Sequence, residues 1–120
     1  MTTEDLASLA ARLEGYRYDL TSEDSVQRGI AKVLDEDGTP YDREVPVDGG
    51  RLDFLLGTGI AIEVKLRGST ADLIRQLHRY AKLDAVRSIL VVTTRHRLAQ
   101  LPVSLGGKPV AVALLVSSCL

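Results

Sequence analysis

The sequence predicts a single α/β domain in which helices flank a mixed β-sheet, and three patterns predict it. Apolar residues recur at helical spacing in three segments and alternate at strand spacing through a meander in the middle of the chain. Ser88–Thr94 (SILVVTT) is nearly all apolar, the mark of a strand covered on both faces. Because it follows a strand and a helix, it is predicted to return parallel to an earlier strand through a right-handed crossover. The coarse order is ααβββαββ.

With 120 residues, the chain is long enough for one domain with a core and too short for two. Apolar content of 45% and balanced charge of 26% indicate a folded, soluble chain. Its apolar runs are far shorter than a membrane span, and MTTEDLASLA lacks the basic start of a signal peptide. Cys119, the single cysteine, excludes an internal disulfide and a cysteine zinc cluster. The expectation is a cytoplasmic protein without a membrane partner, with nucleoid association left open. A formal net charge of −1 requires any nucleic-acid-binding surface to be local.

Taken in order, residues 4–13 place Leu6, Leu9, Ala10 and Leu13 on one helical face, with Thr3 as N-cap and Gly15 as the end. Tyr16–Leu20 reads as a link. A second helix is predicted from Thr21 or Ser22 to Glu36, stopped by Asp37-Gly38-Thr39-Pro40. Its apolar stripe is Val26, Ile30, Val33 and Leu34, and Glu23 shares that inward face. Acidic residues also complement the dipole in a first turn, which is the alternative role for Glu23. Tyr41–Val47 is a strand, placed at an edge by Pro46. Asp48-Gly49-Gly50 turns it into Arg51–Leu56.

A third helix, Ala71–Leu83, is started by Ser69 or Thr70 and buries Leu73, Ile74, Leu77, Tyr80 and Ala81, with Gln76 at the border. Arg75, His78, Arg79 and Lys82 form its second stripe, open to either solvent or phosphate. Arg95-His96-Arg97 is a basic cluster beyond the buried strand. Leu98–Leu101 is predicted as a helical turn, Gly106-Gly107 as a loop and Val110–Val116 as the last strand.

The chemistry concentrates in Arg51–Arg67, RLDFLLGTGIAIEVKLR. Gly57-Thr58-Gly59 joins two strand-like runs, a hairpin signal. A three-residue loop pairs Leu56 with Ile60 and so sets Asp53 across from Glu63. Directly opposed Cβ atoms lie roughly 4.5–5.5 Å apart, where like charges repel. Two facing carboxylates need a cation, so the pair reads as a metal site. The competing reading is a surface charge ladder, in which a Lys65–Glu63 pair contributes only about 0–1 kcal/mol. His78 and His96 lie on different elements, without a paired ligand at metal spacing.

Asp53, nine residues, then Glu63-Val64-Lys65 resembles the D-(x)n-E-x-K motif of the PD-(D/E)XK nuclease superfamily. Gln76-Leu77-His78-Arg79-Tyr80 resembles the Q-x-x-x-Y signature of its RecB-like branch, and small Holliday-junction-resolvase-like members offer the nearest comparison in size. The resemblance covers roughly Ser22 to Thr94, with Leu52 standing where the family name places proline. It implies a restriction-endonuclease-like αβββαβ core. It also implies a Mg2+ (or Mn2+) ion held by Asp53, Glu63 and the Val64 backbone carbonyl, with Glu23 at a second ion or outer-shell water.

Lys65 would be the catalytic cation, Gln76 a site-positioning group and Tyr80 its support. Arg67, Arg75, Arg79, Arg95 and Arg97 would grip DNA. The implied activity is metal-dependent hydrolysis of DNA phosphodiesters, as an endonuclease on branched or junction substrates, acting as a homodimer or within a larger assembly. The alternatives are a non-catalytic DNA- or protein-binding module and an interaction domain pairing through the Val110–Val116 edge.

Overall fold

The computed structural model describes residues 5–117, apart from the side chains of Ala99 and Ser117. Three capped helices form where periodicity places them. α1 (Leu6–Glu14) starts at Asp5, whose carboxylate accepts the Ser8 N–H at 2.7 Å, and ends at Gly15. Thr3, the expected cap, and Glu4 lie outside the described residues. α2 (Glu23–Glu36) is capped by Ser22, and α3 (Thr70–Ala81) by Ser69. Each cap oxygen accepts an N–H that has no partner inside the helix.

The link after α1 is a correction to the sequence reading. Arg17–Tyr18 forms a short strand, β1, which pairs in parallel with Val116–Ser117, β8. Tyr18 is buried, and its hydroxyl donates to the Leu13 carbonyl at 2.7 Å. Its ring lies against Gly29 of α2, where a Cβ would sit 2.7 Å from the ring. Two-residue strands nearly a hundred positions apart carry no local period, so only the fold reveals the pair.

The main sheet contains β2 (Tyr41–Val47), β3 (Gly50–Leu56), β4 (Ile60–Val64), β5 (Ser88–Thr93), β6 (Ser104–Leu105) and β7 (Lys108–Leu114). Their spatial order is β2-β3-β4-β5-β7-β6. β2, β3 and β4 form the antiparallel meander, and β4, β5 and β7 run parallel. The predicted parallel return of Ser88–Thr94 is therefore present, with α3 in the connection.

The last strand begins two residues earlier than predicted and ends at Leu114, because Gly106-Gly107 turns β6 tightly into β7. The predicted turn at Leu98–Leu101 is a 3-10 turn at His96–Ala99. β7 does not offer a fully open edge. β6 covers its start, and Glu14 of α1 accepts the Leu114 N–H at 2.8 Å near its end.

Helices cover both sheet faces. Leu9 and Leu13 of α1 and Val26, Ile30 and Leu34 of α2 pack on Phe54, Ile62, Val64, Leu90 and Val92. Leu73, Leu77 and Tyr80 of α3 pack on Ala61, Ile89 and Val91 across the sheet. Ile74, expected in the buried stripe of α3, is only half-buried.

Strand alternation would place Leu52 beside Phe54, yet Leu52 belongs to the α3 side and Phe54 to the α1–α2 side. The reversal occurs where Glu44 of β2 adopts φ +52, a left-handed conformation. Arg43 pairs with Phe54 and Val45 with Leu52, so Glu44 is the residue across from Asp53. The hairpin turns over at that point, and Asp53 is its pivot. Among the described residues no helix is long and apolar enough to cross a membrane.

Candidate metal centre

The β3–β4 turn sets the register from which the site follows. Gly59 N–H donates to the Leu56 carbonyl at 2.9 Å, with Gly59 at φ +91, a conformation that favours glycine. Phe54 then pairs with Ile62 and Leu55 with Ala61. The ladder ends there, and that register continued by one residue would set Asp53 across from Glu63.

The ladder changes character there. The Val64 N–H donates to Asp53 Oδ2 at 2.8 Å, so a carboxylate replaces a main-chain acceptor. In an extended residue the N–H and C=O project to the same neighbour, which aims the Val64 carbonyl toward the edge occupied by Asp53. The site thus lies at the carboxyl end of β4, where ligands bind in many open α/β sheets.

Glu63 is only 6% exposed, and its Oε1 has no hydrogen-bond partner. Burial, reinforced by the charge of Asp53, pushes the Glu63 carboxyl up to about 9. Burial also raises Asp53, opposed by the Val64 N–H that stabilises its anion. Burial and mutual repulsion thus favour proton uptake by the pair, most strongly at Glu63. An orphaned buried carboxylate oxygen beside a second carboxylate suits a hard divalent cation, which takes oxygen ligands.

The lysine and the two helices complete the surroundings. Lys65 shares the face of Glu63, and its charge favours the ionised forms of both Glu63 and Asp72. Its chain passes over Gly68 at the entrance to α3, where a Cβ would sit 3.3 Å from Lys65 Cε. From α3, Gln76 Nε2 donates to the Tyr80 hydroxyl at 2.9 Å, and that hydroxyl donates to the Arg51 carbonyl at 2.8 Å. Gln76 and Tyr80 thereby fasten α3 to β3 two residues before Asp53. Gly50, at φ +156, lets the backbone pass the Tyr80 hydroxyl, which a Cβ would approach at 3.2 Å.

Glu23 reaches the site from the other side of the sheet. Its Oε2 accepts the Leu66 N–H at 3.0 Å, and its charge raises both Asp53 and Glu63. It borders the acid pair without joining it: among the described residues no group of three or more His, Cys, Asp or Glu side chains converges to hold a metal. Of the ligands the resemblance implies, Asp53 and Glu63 lie close enough for each to shift the other.

The basic residues divide. Arg95 donates to the Gly68 carbonyl at 3.1 Å and, with Arg67, stands at the strand ends beside the site. Arg75 is ion-paired with Asp72, which neutralises part of the predicted stripe. Arg79 lies against Gly49 in the β2–β3 turn. Arg97 is an exposed residue of the 3-10 turn.

Arg51 was missed in the sequence reading. Its charge counters the rise at Asp53, and its carbonyl holds Tyr80. The available signal was its position two residues before Asp53 on one strand. Neither protein-family models, nor curated proteins, nor solved structures give a match to this chain.

Proposed function

We propose that this protein is a Mg2+- or Mn2+-dependent DNA nuclease of the PD-(D/E)XK type, with a restriction-endonuclease-like core. The observation that carries this reading is the opposed Asp53–Glu63 pair, with one buried, unpartnered carboxylate oxygen, at the carboxyl end of a central strand. Asp53, Glu63 and the Val64 carbonyl would hold the ion. When bound, such an ion lowers the pKa of a water and neutralises charge on a phosphate.

The chain's own groups do the rest. Lys65 presents an ammonium on the Glu63 face, where it orients the attacking water and offsets negative charge on the phosphate. Electrostatic help of this kind is worth roughly 2.7–4 kcal/mol per well-aimed donor. Gln76 and Tyr80 position β3, and hence Asp53, by the hydrogen-bond chain to the Arg51 carbonyl. Arg67 and Arg95 flank the site as phosphate contacts, and Glu23 supports an outer-shell water or second ion. Branched or junction DNA cut by a homodimer, or by this chain as a subunit of a larger assembly, fits a protein whose basic surface is local.

The test is cleavage of plasmid and branched DNA with magnesium or manganese by wild type, Lys65→Ala and Asp53→Asn. Wild-type cutting that both substitutions abolish supports the reading; equal cutting by all three removes it. A second reading, a non-catalytic binding module, is favoured by the lack of a third converging carboxylate among the described residues. Calorimetric titration with manganese separates the two, because only the nuclease requires binding that depends on Glu63.

A further inference from the structure

Lys65 opens the connection, residues 65–69, that leads from the end of β4 to the start of α3. Groups from outside hold its backbone at three points. The Lys65 N–H donates to the Val92 carbonyl of β5 at 2.9 Å, one step past the paired residues Val64 and Val92. The next N–H, that of Leu66, donates to Glu23 Oε2 at 3.0 Å, from the first residue of α2. The Gly68 carbonyl accepts from Arg95 Nη1 at 3.1 Å. Past the end of a strand, main-chain groups lose their ladder partners, and here a carboxylate and a guanidinium replace them.

Both side chains stand on fixed supports. Glu23 follows the Ser22 cap of α2, a helix seated in the core by Val26. Arg95 lies just past β5, and its N–H donates to the hydroxyl of buried Thr93 at 3.2 Å. Between these two anchors the Lys65 side chain runs along Gly68. A Cβ on Gly68 would lie 3.3 Å from Lys65 Cε and 3.8 Å from its Nζ, and the backbone there holds φ +102. The path of this glycine therefore sets where the ammonium lies, and Arg95 holds the carbonyl of that same glycine.

Resting on the nuclease reading, we propose that Glu23 and Arg95 are positioning residues that clamp this connection and so fix the Lys65 ammonium. Glu23 acts as an acceptor through Oε2, apart from any water or ion that its other oxygen supports. Arg95 acts through Gly68, apart from any phosphate that its remaining N–H groups contact. A misplacement of about 1 Å can lower a rate about 10²-fold, which is the reason to hold a reacting group from two sides.

Reach and charge separate by substitution at Glu23. Glutamine keeps an acceptor oxygen at the same reach without the charge, and aspartate keeps the charge on a shorter side chain. The test compares wild type, Glu23→Gln, Glu23→Asp and Arg95→Ala in steady-state cleavage of plasmid with manganese. Amide hydrogen exchange is measured on the same proteins without metal, where slow exchange in β5 reports that each is folded. Glu23→Gln is expected to keep kcat and the protection of the Leu66 N–H. Glu23→Asp is expected to lower kcat at least about tenfold at unchanged KM and to speed Leu66 exchange at least about tenfold. Arg95→Ala is expected to lower kcat by a similar factor, which a contact serving only to bind phosphate, acting on KM, would not do.

Equal loss of kcat in Glu23→Gln and Glu23→Asp, with Leu66 protected in both, assigns the role of Glu23 to its charge and overturns the proposal. So does an unchanged kcat in Glu23→Asp or in Arg95→Ala. Failure of the nuclease reading is separate: it is seen as absent cleavage by wild type. The clamp at Glu23 then stands or falls on Leu66 exchange in the metal-free proteins.

Discussion

Leu52 and Phe54 lie two residues apart on one strand and pack on opposite faces of the sheet, with Asp53 as the residue between them. The turnover frees the Asp53 carboxylate from either face and directs it to the Val64 N–H. Across the hairpin, Glu44 holds φ +52, which costs a residue with a side chain roughly 1–2 kcal/mol. The left-handed residue and the acid of the candidate site thus face each other across the β2–β3 hairpin.

Glu44→Val tests that relationship. Valine favours an ordinary edge strand, yet a β-branched residue is poorly tolerated at positive φ. The variant is expected to lose about 1–2 kcal/mol in urea denaturation and to bind manganese more weakly as Asp53 shifts. Glu44→Asn should retain both properties. If valine stabilises the protein, the left-handed residue is not what shapes the hairpin.

The hairpin register has its own test at Gly59. A Cβ there would lie 2.7 Å from Arg87 Cγ, at a φ of +91 that disfavours any side chain. Gly59→Ala is expected to cost at least about 1–2 kcal/mol. Because the loop sets Asp53 against Glu63, the same substitution should also weaken manganese binding by calorimetry. A silent variant would show that the register is held elsewhere.

The acid pair predicts a pH dependence whose sign follows from Glu63. Its ordinary carboxyl value is 4.5 and its folded value is about 9, so the folded chain binds the extra proton between them. Metal-free stability from this group is complete below about 4.5 and is lost as pH rises through about 9. Glu63→Gln should flatten that decline in urea midpoints measured with chelator across the range. Manganese binding by wild type should tighten as pH rises and release a proton. Parallel decline of wild type and Glu63→Gln would sink the assignment of the proton to Glu63.

Tyr80→Phe should remove the bridge from Gln76 to the Arg51 carbonyl. Leaving a buried partner unsatisfied costs about 1–3 kcal/mol. A double-mutant cycle with Gln76→Leu is expected to give a coupling within the 0.5–3 kcal/mol seen for residues in one network. Additive losses would mean that the two side chains act independently.

Local chemistry made much of this architecture legible. The helices follow from apolar spacing and from caps such as Ser22 and Ser69, which act within one turn. The Asp53–Glu63 opposition follows from a three-residue loop, because a strand repeats every two residues. Contacts with long chain separation were illegible. Glu23 was read as facing inward, yet its acceptance of the Leu66 N–H spans 43 positions. The β1–β8 pair and Glu14 on Leu114 likewise join distant segments.

The sequence by itself determined the helix stripes, the hairpin register and the residue types able to bind a cation, since each depends on neighbours within a few positions. Tertiary structure alone decided the turnover at Glu44 and Asp53, the burial that leaves Glu63 Oε1 without a partner, and the approach of Glu23 around the sheet end. Those depend on how layers pack and which groups lose water, quantities that no local period encodes.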